Sequence, residues 1–427
     1  MLTVVFSLTL VMLKVKMTLI KPGKMTKQKM KETFFFAIVL LLAACSVKDQ
    51  GYVVVNSFNS DIRDKAVVVS RAELNKYVKL TGDEVVAVKD EAGNYLPSQC
   101  DDINGDGTWD ELVFLIDLKA GEKKSVLFEA VEESEVPQFS QRTNIRFGDK
   151  KPPYEEIVLG TRLITSDSPS STKAFQMEGP AWENDIIGFR NYFDARNGID
   201  IFGKQTSEMA LDSVGLPGKP TYHELQAWGM DILKVANSLG AGAIGLQIGD
   251  TLYRIGPSGK GSYSFISEGP VRAMLQLKFT DVKIKGRTYE VRHQISIYAG
   301  DNFYRSKVTI KGIKGDEKLI TGIVDHDTKL EKGEYEGYDY FFALGPQAFL
   351  HEYLGMAVIA DKKSVAGNFE APKTGEGITM THVISLNIGD DKPVEFAFVA
   401  VWEQRDEKIK NKNYFENLIK QSILKLN

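Results

Sequence analysis

Cysteine is nearly missing from this 427-residue chain, where Cys45 and Cys100 are the only two. Two thiols cannot build a disulfide framework or a cysteine zinc cluster. Histidine is scarce as well, at five, and no His-Glu-x-x-His pair occurs. A Gly-rich phosphate loop and a Gly-x-Ser-x-Gly elbow are also absent. Nucleotide-driven and serine-esterase chemistry are therefore set aside. Basic charge is in deficit, at −4 overall. No nucleic-acid partner is expected, because phosphate binding needs a concentrated basic surface.

What is present begins near the N-terminus. Lys27, Lys29 and Lys31 precede the apolar run Phe34-Phe35-Phe36-Ala37-Ile38-Val39-Leu40-Leu41, and Leu42-Ala43-Ala44-Cys45 follows it. A basic head, a short apolar core and small residues before a cut site make an export signal. Cys at the cut fits a bacterial lipoprotein, acylated on Cys45. The core is too short for a permanent spanning helix, so membrane contact is expected through the lipid anchor only. A second apolar stretch covers 1–23, which points to Met25 or Met30 as the start and to 25–44 as the signal. Cleavage would remove seven Lys and one Glu, taking the net charge from −4 to about −10. Ser46 after the Cys favours the outer membrane, and Lys48-Asp49 faintly resembles a surface-export signal. Cys100 is left without a partner beside Asp101 and Asp102, and it reads as structural.

The remaining 380 or so residues exceed one ordinary core and suggest two domains. In 45–130, short apolar runs at 52–55, 66–69, 85–88, 111–116 and 125–128 alternate with Gly- and Asp-rich turns. This is the pattern of a small β-sandwich. Residues 131–153 hold Pro137, Pro152 and Pro153 without an apolar period, and read as a linker. In 154–427, strands are predicted at 243–248, 252–255, 271–279, 287–298, 304–310, 356–360, 379–386 and 395–401. The fold class is thus mainly β, a large antiparallel β-sandwich preceded by a small one. Residues 223–239 read either as a helix, through Leu225, Ile232, Ala236 and Leu239, or as a strand at 230–235.

Three stretches carry chemistry. Asp102, Asn104 and Asp106, with Thr108 and Asp110 after them, match the first half of a calcium loop. The twelfth position is Val113 rather than Glu, so a structural calcium ion competes with a plain Asp/Asn/Gly hairpin turn. The second stretch, 178–204, is dense in Trp182, Glu183, Asp185, Arg190, Tyr192 and Lys204, with little apolar period. It reads as a loop presenting a polar site, since aromatic faces stack on sugars while Arg and acids bond hydroxyls and carboxylates. A structural loop held by its own ion pairs is the alternative. In the third, strand 289–298 puts His293 on an apolar face and Glu290, Arg292, Gln294, Ser296 and Tyr298 on a polar one. His293 reads as a core histidine, and the polar face as solvent surface or ligand groove. Asp325 and Asp327 flank His326 and would raise its pKa. His351 and His382 lack such neighbours.

The segments Trp182-Glu183-Asn184-Asp185, Trp228-Gly229-Met230-Asp231 and Ser238-Leu239-Gly240-Ala241-Gly242 resemble an uncharacterised Bacteroidota lipoprotein family, a domain of unknown function. That resemblance implies a galactose-mutarotase-like sandwich and a uronate-containing, pectin-type glycan as partner. It supplies no catalytic residues. A lyase would need a cation for the uronate carboxylate, Arg190 or Arg292, and a base, His223 or Tyr192. A mutarotase or isomerase would need an acid–base pair, His326 with Glu183 or Asp185. Neither chemistry requires a cofactor. Trp228, Asp231 and Lys204 are candidate substrate contacts. A non-catalytic glycan binder would instead use Trp182, Trp228 and Tyr192 as an aromatic platform.

Overall fold

In the computed structural model, residues 51–82, 84–162, 175–257 and 259–427 are described. Cys45 and the whole signal region lie outside them. The central element is the long hairpin Arg272–Ile284 and Arg287–Tyr298. Along it Leu275, Leu277, Phe279, Val291, Ile295 and Ile297 alternate with polar residues and enter one core. Further antiparallel strands extend the hairpin to nine, in the order Glu331–Tyr335, Tyr338–Gly345, Leu354–Asp361, Pro393–Trp402, Phe303–Lys311, Arg287–Tyr298, Arg272–Ile284, Lys260–Ser267 and Leu159–Thr161.

A five-stranded sheet faces it, ordered Thr251–Arg254, Gly245–Ile248, Glu317–Val324, Thr381–Asn387 and Val365–Glu370. Leu246, Leu319, Ile323, Val383 and Leu386 from this sheet close the same core. Two stacked sheets with interdigitating apolar faces make the large sandwich. The turn Gly249-Asp250 joins two of its strands in a two-residue hairpin, and Gly249 takes φ +62 there. The strands predicted in this half all form, 287–298 to the residue.

The small sandwich pairs a four-stranded sheet with the three strands Ile62–Ser70, Glu111–Leu118 and Ser98–Asp101. Val69, Val86, Val88, Leu112, Phe114 and Val126 fill it. Cys100 sits at this core, and burial pushes its thiol up to about 11, in keeping with a structural role. Arg272 locks the small sandwich to the large one. Buried itself, it donates to Asp101 at 2.8 and 2.5 Å and to Glu111 at 2.9 Å. Residues 51–427 hold together as one unit.

Two expectations are corrected, and one helix is added. The stretch 131–153 is more than a linker: Thr143–Arg146 is a strand paired with Ala181–Asn184. Residues 223–239 form no helix, because Gly229 (φ +136) and Ala236 (φ +49) leave the helical region. Only Gly229–Asp231 is a strand. The helix Lys412–Leu426 was not expected. Asn411 caps it, accepting from Asn413 and Tyr414, and Phe415, Ile419 and Ile423 pack on the outer face of the nine-stranded sheet. Among the described residues, no helix is long and apolar enough to cross a membrane.

His293 is a core residue, with Nε2 2.8 Å from Ser306 Oγ. Burial pushes its imidazole down to about 3 from 6.5. The unfolded chain therefore binds a proton that the folded one refuses between these values. Stability from this group is complete above pH 6.5 and falls as pH drops towards 3, by about 1.4 kcal/mol per unit. In His293→Gln, the slope of unfolding free energy against pH over that window should be shallower by about one proton. An unchanged slope would contradict the buried neutral imidazole.

Candidate functional site

Residues 178–204 are a sheet and not the expected loop. Ala181–Asn184, Ile187–Asn191 and Ile199–Lys204 run antiparallel between Thr143–Arg146 and Gly229–Asp231. The register sorts their side chains. Trp182, Phe189, Ile199 and Ile201 share one face and join the main core. Arg190 lies opposite Asp200, and Phe202 opposite Asp231, so Glu183, Arg190, Asp200, Asp231 and Lys204 share the other. Residues 205–228 cover that charged face, with Leu211, Val214, Tyr222 and Trp228 packing on Ala181 and Phe202. The sheet also approaches the nine-stranded sheet closely: a Cβ on Gly203 would fall 2.5 Å from the Trp402 ring.

One end of the charged face is built on Glu183. Its carboxylate pairs with the buried ammonium of Lys204, and accepts from Asn144 at 3.2 Å and from the Ala210 and Leu211 amides at 2.8 Å. Lys204 also donates to the Asn184 carbonyl at 2.7 Å. Burial lowers the Lys204 pKa, and Glu183 opposes that. Neither residue is free to meet a substrate. This end staples residues 205–214 to the sheet.

The other end centres on Arg190, which is 0% exposed. Its Nη2 lies 2.6 Å from Asp200, 3.0 Å from Glu178 and 3.2 Å from Asp231. Tyr192, Phe202 and Tyr222 surround the guanidinium with ring centroids 5.1–5.2 Å away. Burial disfavours the Arg190 charge, but Asp200 and Asp231 overcome it and hold the group charged. Burial, followed by the Asp200 charge, drives Asp231 well above the carboxylate range, and burial raises Asp200 too. Two carboxylates this close titrate as a pair. Tyr192 donates to Asp200 at 2.9 Å, and burial with that charge raises its pKa. Arg190 as a uronate cation and Tyr192 as a base are thus both replaced by structural roles.

His223 is where this group reaches solvent. Its side chain is 54% exposed, with Nδ1 3.6 Å from Asp231 and the ring against Tyr222 at 4.5 Å. Burial and then Arg190 lower its pKa. Arg190, Asp231 and His223 therefore converge as a set. His326 does not join them. It is half-buried, and burial lowers its pKa where flanking acids were expected to raise it. Asp325 and Asp327 turn instead to Lys373, at 2.5 and 2.9 Å. Asp185 accepts from Arg142 and the Gly300 amide, so neither predicted pairing with His326 is assembled.

The aromatic platform is also dismantled. Trp182 is buried against Phe189 and Tyr304, while Trp228 is half-buried on Phe202. Arg292 is exposed and pairs with Asp391 at 2.9 Å. In the 102–110 loop, Asp102 accepts from the Gly105 and Gly107 amides and Asn104 from Asp106. Asp106 accepts from Thr108, and Asp110 from Ile103 and Asn104. Of the two readings offered for the polar face of 289–298, the structure shows a groove: a cleft of about 820 Å³ lined by Gln294, Ser296, Tyr298, Arg305, Lys307 and Tyr338. Sequence reasoning missed one place. His382, set aside for want of neighbours, pairs with Glu370 at 2.6 Å across the strand register.

Residues 54–427 match the profile of a domain of unknown function, DUF4861. The chain belongs to the DUF4861 family. A relative from Formosa agariphila, "Uncharacterized protein P7", is 24% identical to this DUF4861 chain over 419 residues, covering 92% of it and 96% of the relative. Two solved Enterococcus faecalis structures resemble it weakly, at 10% identity: a glycosyl hydrolase family 38 protein (TM-score 0.40) and an alpha-mannosidase (TM-score 0.39). Each match covers 92% of this chain, which spans about half the length of those proteins.

Replacing Lys204 by Met in this DUF4861 chain strands a buried Glu183. Chemical denaturation should show a loss of about 3–5 kcal/mol. Arg292→Ala breaks an exposed pair and should cost under about 1 kcal/mol. Equal costs would refute the staple.

Proposed function

We propose that this DUF4861 protein is a carbohydrate-active protein of the cell envelope that acts on uronate-containing oligosaccharides by acid–base chemistry, with His223 as the proton acceptor. One observation carries the reading: an exposed imidazole stands 3.6 Å from a buried carboxylate that belongs to a coupled pair. The lowered pKa keeps the ring neutral near pH 7, as a base requires. Asp231 stands behind Nδ1, and the Asp200 and Glu178 charges favour the imidazolium that forms. In a uronide, the C5 proton passes to the ring, the C5–H electrons form the C4–C5 double bond as the C4–O bond breaks, and the leaving oxygen takes its proton from the imidazolium or from water, which returns the ring to its neutral form. The family resemblance supports the uronate class.

The test incubates the protein with pectic and other uronate oligosaccharides, following alkene absorbance and the anomer ratio by NMR. His223→Ala should lower turnover by about 10²-fold, with the thermal melt unchanged because the side chain is exposed. Wild-type activity should fall on acidification along a limb centred below 6.5, since burial and Arg190 depress the His223 pKa. Turnover that survives His223→Ala would end this reading.

A second reading, a non-catalytic glycan binder, is favoured by the 820 Å³ cleft, which shares no lining residue with the His223 group. Its volume suits a small oligosaccharide, and Arg305, Lys307, Lys363 and Lys392 suit an acidic one. A binder should lose affinity in Lys307→Glu and ignore His223→Ala.

The envelope location rests on the signal pattern that ends at Cys45. Several acyl chains, at ~0.8 kcal/mol per buried CH₂, hold a protein where one does not. Cys45→Ala should leave the precursor unprocessed and unlabelled by palmitate. Labelling that persists at the same site would refute the anchor.

A further inference from the structure

A second cluster of ligand-type side chains lies on the facing five-stranded sheet, away from the charged face under 205–228. In its register His382 is opposite both Glu370 and Ile323, and Asp325 follows Ile323 by two residues. Three neighbouring strands thus deliver one imidazole and two carboxylates, and ligand atoms of all three lie within 4.8 Å of one another. They open onto a cleft of about 500 Å³ that Asp327, Thr328 and Lys373 also line.

The imidazole is held as a metal-ligating histidine is held. His382 is 3% exposed, and its Nδ1 lies 2.6 Å from Glu370 Oε2. A carboxylate on one ring nitrogen fixes the tautomer and presents the other nitrogen as a ligand. That other nitrogen, Nε2, is buried and has no hydrogen-bond partner among the described residues. It stands 3.6 Å from Asp325 Oδ1. A nitrogen and an oxygen each about 2.0–2.1 Å from a tetrahedral ion lie about 3.4 Å apart, so the gap is close to that of two ligands awaiting an ion. A cationic group already sits at this edge of the cleft. The Lys373 ammonium contacts Asp325 at 2.5 Å and Asp327 at 2.9 Å, on a side chain that is 54% exposed and free to swing out.

We propose that Asp325 and His382, with Glu370 behind the imidazole and Asp327 at the rim, form a site for a divalent transition ion of the zinc class. One imidazole with carboxylates suits such an ion, whereas calcium and magnesium favour an all-oxygen set. Lys373 is the built-in competitor, neutralising the carboxylates when no ion is bound. The site shares no residue with the His223 group, so either assignment stands or falls without the other.

The test is calorimetric titration of the chelator-treated full chain with Zn²⁺ alone, repeated with Mg²⁺ and Ca²⁺. One equivalent of Zn²⁺ should bind, with at least tenfold preference over both alkaline-earth ions. His382→Ala should abolish that equivalent, and Glu370→Gln should weaken it at least tenfold. Lys373→Met should tighten it several-fold, which a general loss of structure does not do. Co²⁺ added in place of Zn²⁺ should give visible absorption bands of a low-coordinate site, lost in His382→Ala. Should that variant fail to fold, the exposed positions Glu370 and Lys373 carry the test. No stoichiometric Zn²⁺, or binding indifferent to both of those changes, would overturn the proposal.

Discussion

A buried cation must find its carboxylates within the protein, and three such cations set how the sheets of this molecule join. Arg272 ties the small sandwich to the nine-stranded sheet through Asp101 and Glu111. Lys204 ties the covering residues 205–214 down through Glu183. Arg190 joins two neighbouring strand pairs through Asp200 and Asp231. Coulomb attraction inside a protein is strong, but desolvation of both partners is nearly as large. Such pairs therefore add little net stability over apolar replacements. Their effect is on register: a slipped strand would leave a charge unpaired, at a cost of several kcal/mol. Apolar packing brings the sheets together, and the ion pairs fix their alignment.

The same constraint explains why the 178–204 stretch is deceptive in sequence. A solvated polar loop and a charged sheet face under a lid draw on the same residue types, Trp, Tyr, Arg, Asp and Glu. The difference lies in the opposite face, where Trp182, Phe189 and Ile201 supply one row of a core. The row is broken between strands, so no long apolar alternation marks it. Partners also come from afar. Asp231 meets Arg190 from 41 residues on, and the Ala210 amide of the lid meets Glu183 from 27 residues on.

Legibility followed the range of the interactions involved. Strand 287–298 could be read to the residue because one face is apolar apart from His293 and its hairpin partner is adjacent in sequence. His293 followed from the same alternation. The helix Lys412–Leu426 was legible too, since Phe415, Ile419 and Ile423 recur at four-residue spacing behind a capping Asn411, but it went unread. His382 was not legible. Glu370 reaches it by cross-strand pairing and Asp325 from a third strand, and neither spacing is a sequence motif. His326 failed for the opposite reason: adjacency to two acids in sequence says little when Lys373 claims both.

The proposed base, His223, depends on buried charge without sharing its burial. Burial and Arg190 make protonation of this imidazole costly, while the Asp200 and Glu178 charges favour it. Burial and Arg190 win, so the ring is held neutral yet faces negative charge that stabilises its cation. That balance is set by residues inside the sheet, so it does not shift as surface side chains move. An exposed histidine normally titrates near 6.5 with no fixed partner. Here the lid brings His223 to the edge of a charge array whose geometry the sheet register has already fixed, and the reactivity proposed for the ring rests on the fold rather than on a local motif.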